Sequence, residues 1–313
     1  MSVKTAVVAV GGNALIKDKT KKTVEDQFDA AKETMGHIAK MIADGWNVVL
    51  THGNGPQVGF ILRRSELSLG ELHPVPLDYC GADTQGAIGY MFQKALSNHF
   101  EQMDLDKRAV TVVTMVEVDK DDPAFENPSK PIGSFLDEET AKVRMAEGKT
   151  FVEDAGRGWR QVVPSPKPKR IVEVDAVKAL VDAGFVVVST GGGGIPVVEK
   201  DKGGLIGIEA VIDKDFASAL LATTIKADLL LISTAVEKVA LNFNTPEQKW
   251  LDQMTVAEAK QYIAEGHFAP GSMKPKIEAC IQYLENGGEK ALITDPENSP
   301  RALNGETGTW IVK

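Results

Sequence analysis

Three glycine-rich runs and a pair of lysines supply the residue types that can bind an anion. Gly11-Gly12-Asn13, Gly53-Asn54-Gly55 and Gly191-Gly192-Gly193-Gly194 each follow a β-branched stretch. Glycine has no Cβ, so backbone N–H groups in such turns can approach phosphate or carboxylate oxygens closely. Sterics alone would explain one turn of this kind, whereas three point to anion binding. Lys214 and Lys274 stand near the starts of helical patterns, in Asp213-Lys214-Asp215 and Gly271-Ser272-Met273-Lys274-Pro275, where Ser272 is placed to cap and Pro275 is tolerable in the first turn. A helix start already carries about half a positive charge, so a lysine there is unfavourable by roughly 0.3–1 kcal/mol unless an anion lies beside it. The two lysines therefore suggest a shared polyphosphate, with solvated lysines screened by Asp213 and Asp215 as the alternative. Asp215 could also be a catalytic base, the role a hydroxyl acceptor would require. His52, next to Gly53, either acts directly or orients the turn by a hydrogen bond.

These turns need strands behind them, and the hydrophobic pattern supplies strands alternating with helices. Residues 3–10 and 47–51 read as strands around a helix over 23–44, whose Phe28, Ala31, Met35, Ile38, Ala39 and Ile42 recur at helical spacing. Helices are predicted over 83–100, 175–183, 214–225, 256–265 and 274–285, and strands over 109–118, 185–190, 229–233 and 291–294. This alternation predicts an α/β fold with a central, mostly parallel sheet covered on both faces, and the three glycine turns then share the carboxyl edge of that sheet. Residues 119–170 interrupt the pattern with six of the chain's 15 prolines. A plain connection of that length is uncommon, so the stretch reads as an inserted subdomain or lid, the alternative being a disordered surface loop.

Composition narrows the classes. In 313 residues, 43% are hydrophobic and 25% charged, values of an ordinary globular protein. Lys+Arg 35 against Asp+Glu 44 leaves a net charge of −9, which argues against nucleic acid or an anionic membrane as partner. Cys80 and Cys280 are the only cysteines and form no metal or disulfide pattern, which fits a reducing, cytoplasmic setting. His37, His73 and His99 lack a second ligand at metal spacing, and His267 reads as shaping its loop. Residues 5–16 resemble a signal core in hydropathy, but Gly11, Gly12 and Asn13 break the run. Neither GxxxxGK[ST] nor GxGxxG occurs; Gly53, Gly55 and Gly59 make GxGxxxG, so P-loop and dinucleotide-binding readings are rejected.

The runs AVGGNAL (9–15), THGNGPQVG (51–59), NPSKPIG (127–133), EDAGRGWR (153–160), VVPSPKP (162–168), GGGGIPV (191–197), AVIDKDFAS (210–218) and GHFAPGSMKPKIEA (266–279) resemble the carbamate kinase branch of the amino acid kinase family, nearly end to end. The resemblance implies a three-layer sandwich with a small protruding inserted subdomain at about 119–170. It also implies an amino-terminal lobe (1–212) for carbamate and dimerisation, and a carboxy-terminal lobe (213–313) for the nucleotide. By motif, Gly11, Gly12, Asn13, Gly53, Asn54 and Gly55 would meet the transferred phosphoryl group, and Gly191, Gly192 and Gly193 the carbamate side. Lys214 and Lys274 would hold the nucleotide's phosphates, Asp215 would orient those lysines, and Lys130 would reach in from the lid. Thr234, Ala235, Lys238, Pro270, Gly271 and Met273 would line the nucleotide pocket together with Lys214 and Lys274.

The implied enzyme is a homodimeric phosphotransferase using ATP or ADP with Mg²⁺ held through phosphates and water, without protein metal ligands, in arginine or purine-derivative fermentation. Carbamate is already an anion, so its attack on phosphorus needs positioning and charge neutralisation but no general base. Another acyl-phosphate kinase, a carbamoyl-phosphate-forming synthetase on the same scaffold, and a non-catalytic nucleotide sensor are the alternatives.

Overall fold

The computed structural model describes residues 3–16, 20, 23–153 and 158–313. Residues 154–157 of the EDAGRGWR run and the side chain of Asn13 lie outside the described residues.

An eight-stranded sheet spans the molecule. Across it run Gln253–Thr255, Thr309–Val312, Lys290–Thr294, Leu229–Ser233, Thr5–Val10, Asn47–His52, Val186–Val188 and Ala109–Thr111. Every neighbouring pair is parallel except Lys290–Thr294 with Thr309–Val312. Because side chains alternate along a strand, Ala6, Val8 and Val10 enter one core while Val7 and Ala9 enter another on the opposite face. The first core is covered by helices α1 (Val24–Ala43) and α3 (Leu77–Gln102), and the second by α5 (Val174–Asp182), α6 (Lys214–Thr224), α7 (Val256–Ala264) and α8 (Met273–Glu285). The remaining helices are α2 (Gly55–Leu67), α4 (Glu138–Ala146) and α9 (Ser299–Leu303). The expected three-layer sandwich is thus present. Helix α1 starts at a capping box between Thr23 and Asp26, which satisfies backbone donors that a helix start otherwise leaves unpaired.

Two expectations of the strand pattern are corrected. The single strand expected over 109–118 is two: Ala109–Thr111 ends the central sheet, and Met115–Val118 belongs to a separate four-stranded sheet with Pro168–Ile171, Ile195–Glu199 and Leu205–Gly207. The break falls at Thr114, whose N–H and C=O are both taken by the Gln85 side chain. Helix α3 begins at Leu77, six residues before the expected start, directly after Pro76. Within residues 119–170, Lys130–Leu136, Phe151–Glu153 and Trp159–Val163 form a three-stranded antiparallel sheet next to α4. This small unit docks on α2, where Gly59 and Gly133 meet so closely that a Cβ on Gly59 would lie 2.8 Å from Gly133 Cα.

Candidate active site

The chain passes from one half of the sheet to the other at Thr5–Val10, which lies between Leu229–Ser233 and Asn47–His52. In an open α/β sheet, the carboxyl ends of the strands around such a point frame the ligand crevice. There the structure has a cleft of about 280 Å³ whose walls include Gly12, Gly53, Asn54, Gly55, Gly192, Lys130, Lys214, Asp215, Gly271 and Lys276. Gly53 comes close to both Lys214 and Gly12: a Cβ on it would lie 3.4 Å from Lys214 Cδ and 3.8 Å from Gly12 N. The four-glycine turn approaches from Val186–Val188. Side chains at Gly191 and Gly192 would run into His52 and the Asn54 amide respectively, so glycine there is a packing requirement.

Helix α6 organises the charges. Asp213 is its N-cap, with Oδ1 accepting from Asp215 N at 2.8 Å. Its Oδ2 accepts from Lys130 Nζ, which arrives from the inserted sheet, at 2.6 Å. Asp215 is 2% exposed. One of its oxygens takes Lys214 Nζ and the other takes Lys276 Nζ, the latter at 2.9 Å. Burial by itself would push the Asp215 carboxyl up, but Lys214 and Lys276 together hold it down, to about 2. Burial lowers the Lys214 ammonium against the pull of Asp215. For Lys276, Asp215 outweighs the burial penalty and raises it. Three ammonium groups thus converge on one cleft, each held by a carboxylate near the start of α6, where the helix dipole also favours negative charge.

The third lysine is not the expected one. Lys274 is absent from the cleft walls and faces Glu278 one turn on, at 3.9 Å. Lys276, two residues later, is turned about 200° around the helix axis, at roughly 100° per residue, and it is the one that reaches Asp215. Neither proximity to the helix start nor the period of α8 separates these two lysines, since each borders the face that Ile277, Cys280 and Ile281 bury; the folded contact with Asp215 does. The expected Ser272 cap is also corrected: Ser272 occupies the N-cap position but its side chain accepts no capping hydrogen bond.

Other expected residues fall around the cleft, not in its walls. Gly11 packs beneath Ser233, with a Cβ there only 2.8 Å from Ser233 O. Gly191 and Gly193 are buried behind Gly192. Thr234, Ala235, Lys238, Pro270 and Met273 also stand outside these walls; Lys238 pairs with Asp252 at 2.5 Å. Asn13 contributes backbone to the 3-10 turn Gly12–Ala14. His52 is 1% exposed and its Nδ1 lies 3.1 Å from Gly53 O, the loop-orienting arrangement. Burial pushes its ring down to about 4, so it is neutral at physiological pH. Sequence reasoning missed Lys276, the Asp213 clamp on Lys130, and Thr84 and Gln85 of α3; Thr84 Oγ1 accepts from Asn54 Nδ2 at 2.9 Å. Among the described residues no group of three His, Cys, Asp or Glu is arranged to hold a metal ion. An apolar groove between α1, α2 and α3 shares no wall residue with the cleft.

An α/β sheet with glycine turns and paired lysines at its carboxyl edge defines a phosphate-handling enzyme class. A sequence model of the amino acid kinase family matches residues 4–295, and the chain belongs to that family. It is 52% identical to the carbamate kinase-like protein YahI of Escherichia coli strain K12, over 98% of both chains. It is 49% identical to the carbamate kinase of Thermococcus kodakarensis, over 99% of this chain and 100% of the relative. The structure of carbamate kinase from Giardia lamblia bound to AMP-PNP superposes with a TM-score of 0.93 at 43% identity, covering 99% of this chain and 98% of that one.

Proposed function

We propose that this chain is a carbamate kinase, moving a phosphoryl group reversibly between ATP and carbamate. The observation that carries the reading is the convergence of Lys130, Lys214 and Lys276 on a cleft edged by Gly12, Gly53 and Gly192, in a chain similar along its whole length to carbamate kinases. Transfer to ADP needs a β-phosphate oxygen to attack the phosphorus of carbamoyl phosphate in line while carbamate leaves as an anion. Neither partner has a proton to surrender to a base, so the site must position two anions and neutralise the charge spread over the phosphoryl oxygens. The lysines do that, and Asp215, with both oxygens occupied by lysines, is suited to holding them and not to accepting a proton.

The glycine turns at Gly11, Gly12, Asn13, Gly53, Asn54 and Gly55 are assigned to the transferred group, and Gly191, Gly192 and Gly193 to the carbamate side. The nucleotide extends toward Thr234, Ala235, Lys238, Pro270, Gly271 and Met273, from the half after residue 212. Mg²⁺ enters with the nucleotide phosphates, where it characteristically keeps several waters; when bound it would share in neutralising the phosphoryl charge. A homodimer is supported by α3, where Tyr79 and Tyr90, both 64% exposed, lie on one helix face and Tyr79 shares a shallow pocket with the exposed Val113. No described helix is long and apolar enough to cross a membrane, and two buried free thiols suit a reducing cytoplasm. An ATP-yielding role in fermentation of arginine or purine derivatives follows from the same reading.

The test is ATP formation from ADP and carbamoyl phosphate, with carbamate, acetylglutamate, and bicarbonate plus ammonia compared as acceptors in the reverse direction. Turnover confined to the carbamoyl phosphate–carbamate pair is expected. Nucleotide binding without transfer, or preference for acetylglutamate, would sink the reading.

A further inference from the structure

The turn at the end of Val186–Val188 holds an unfavourable backbone. Thr190, fully buried, sits at φ 54, where a β-branched residue is rarely found, and Gly192 follows at φ 67. Gln85, 1% exposed, holds the turn in place from the middle of α3. Its Nε2 donates to Thr114 O and to Gly191 O, each at 3.0 Å, and its Oε1 accepts from Thr114 N at 2.7 Å. Two carbonyls and one N–H facing the amide leave only one orientation that satisfies all three. Thr114 extends the clamp, its Oγ1 accepting from Thr190 N at 3.0 Å.

The Gly191 carbonyl therefore points inward, accepting from Gln85 Nε2 and, within the turn, from Gly194 N at 3.0 Å. Among the described residues no peptide bond is cis, so the N–H of Gly192 projects from the opposite side of the same peptide plane. Gly192 lines the cleft, and its N–H has no protein acceptor among the described residues. The two following amides are committed within the turn, Gly193 N to Thr190 O at 3.1 Å and Gly194 N to Gly191 O at 3.0 Å, so the Gly192 N–H is the one the turn leaves for a ligand.

We propose that Gln85 is a positioning residue for the phosphoryl acceptor: by fixing the Gly191 carbonyl it aims the Gly192 N–H at a carboxylate-type oxygen of the acceptor. The proposal rests on the carbamate kinase reading and adds to it a residue that touches no substrate. Gln85→Met keeps the length of the side chain and removes all three hydrogen bonds. Gln85→Glu keeps the acceptor for Thr114 N and removes both donors. In steady-state ADP phosphorylation, both variants should raise KM for carbamoyl phosphate by roughly tenfold or more, the loss expected when a buried hydrogen-bonding group is left without its partner. ADP affinity by titration calorimetry should stay within about twofold, because the lysine cluster is on other elements.

An unchanged carbamoyl phosphate KM in either variant overturns the proposal. So does a parallel loss of ADP affinity or of folding in both, which would make Gln85 a general structural residue. A wild-type chain that forms no ATP from carbamoyl phosphate overturns the functional reading and this proposal together, whereas an active wild type with unaffected variants overturns the Gln85 role alone.

Discussion

Lys274 and Lys276 differ by two positions and by almost everything physical. Lys276 is held against a buried carboxylate, whereas Lys274 reaches only Glu278 at 3.9 Å. If Lys276 neutralises charge during transfer, Lys276→Ala should lower kcat by about 10²–10³, the range found when one preorganised charge-stabilising group is removed. Lys274→Ala should leave kcat within about twofold, since exposed pairs of this kind contribute little. Equal losses in parallel assays would refute the assignment. Asp215→Asn leaves two lysines facing a neutral amide, and breaking such a buried network should destabilise the fold by about 3–5 kcal/mol in denaturant titrations.

The same residue sets a pH dependence. Its folded value, about 2, lies below the ordinary 3.8, so its stabilising contribution is intact above the ordinary value and disappears as pH falls toward about 2. His52 acts in a higher window. Its ring resists protonation down to about 4 where the unfolded chain protonates near 6.5, so stability should already decline as pH drops between those values. Acid-unfolding curves should lose that first decline in His52→Gln; a wild-type curve flat across the window would refute it.

Elements bring these residues together through close contacts. The inserted sheet carries Lys130, and its docking on α2 depends on the Gly59–Gly133 approach. Gly59→Val would push α2 and Lys130–Leu136 apart, which should lower kcat by at least about tenfold, since misplacements near 1 Å can cost about 10²-fold. ADP affinity should be less affected than kcat, because Lys214 and Lys276 sit on α6 and α8. If rapid-mixing and binding measurements show the reverse, the insert does not place Lys130 for transfer. Helix α3 has a double part at this scale. Its inner face clamps two turns through Thr84 and Gln85, while its outer face exposes Tyr79 and Tyr90.

For the whole molecule, the cleft draws walls from the turns after Thr5–Val10, Asn47–His52 and Val186–Val188, from the starts of α6 and α8, and from the insert. A ligand that bridges these parts binds the folded chain alone, so ADP at 100 times its Kd should raise unfolding stability by about 2.7 kcal/mol. A thermal-shift series without any displacement would show that the lysine cluster does not hold a polyphosphate. The paired Tyr79→Glu and Tyr90→Glu substitutions should convert a dimer to a monomer in light-scattering chromatography; a wild-type chain that already elutes as a monomer removes that expectation.

Much of this was legible in the chain itself. Alternating apolar and amphipathic segments dictate a parallel sheet covered on both faces, because strands such as Thr5–Val10 have no polar side to expose. Glycine runs at strand ends mark the ligand edge, because close backbone approach tolerates no Cβ. Lys214 and Asp215 are recognisable from one helix start. What local pattern cannot supply is the rotation of a side chain about its helix or its partner 29 to 106 residues away. Lys276 over Lys274, Asp213 against Lys130, and Gln85 holding both Thr114 and Gly191 were decided by packing. Charge and hydrogen bonding act across space, and only the folded chain sets those distances.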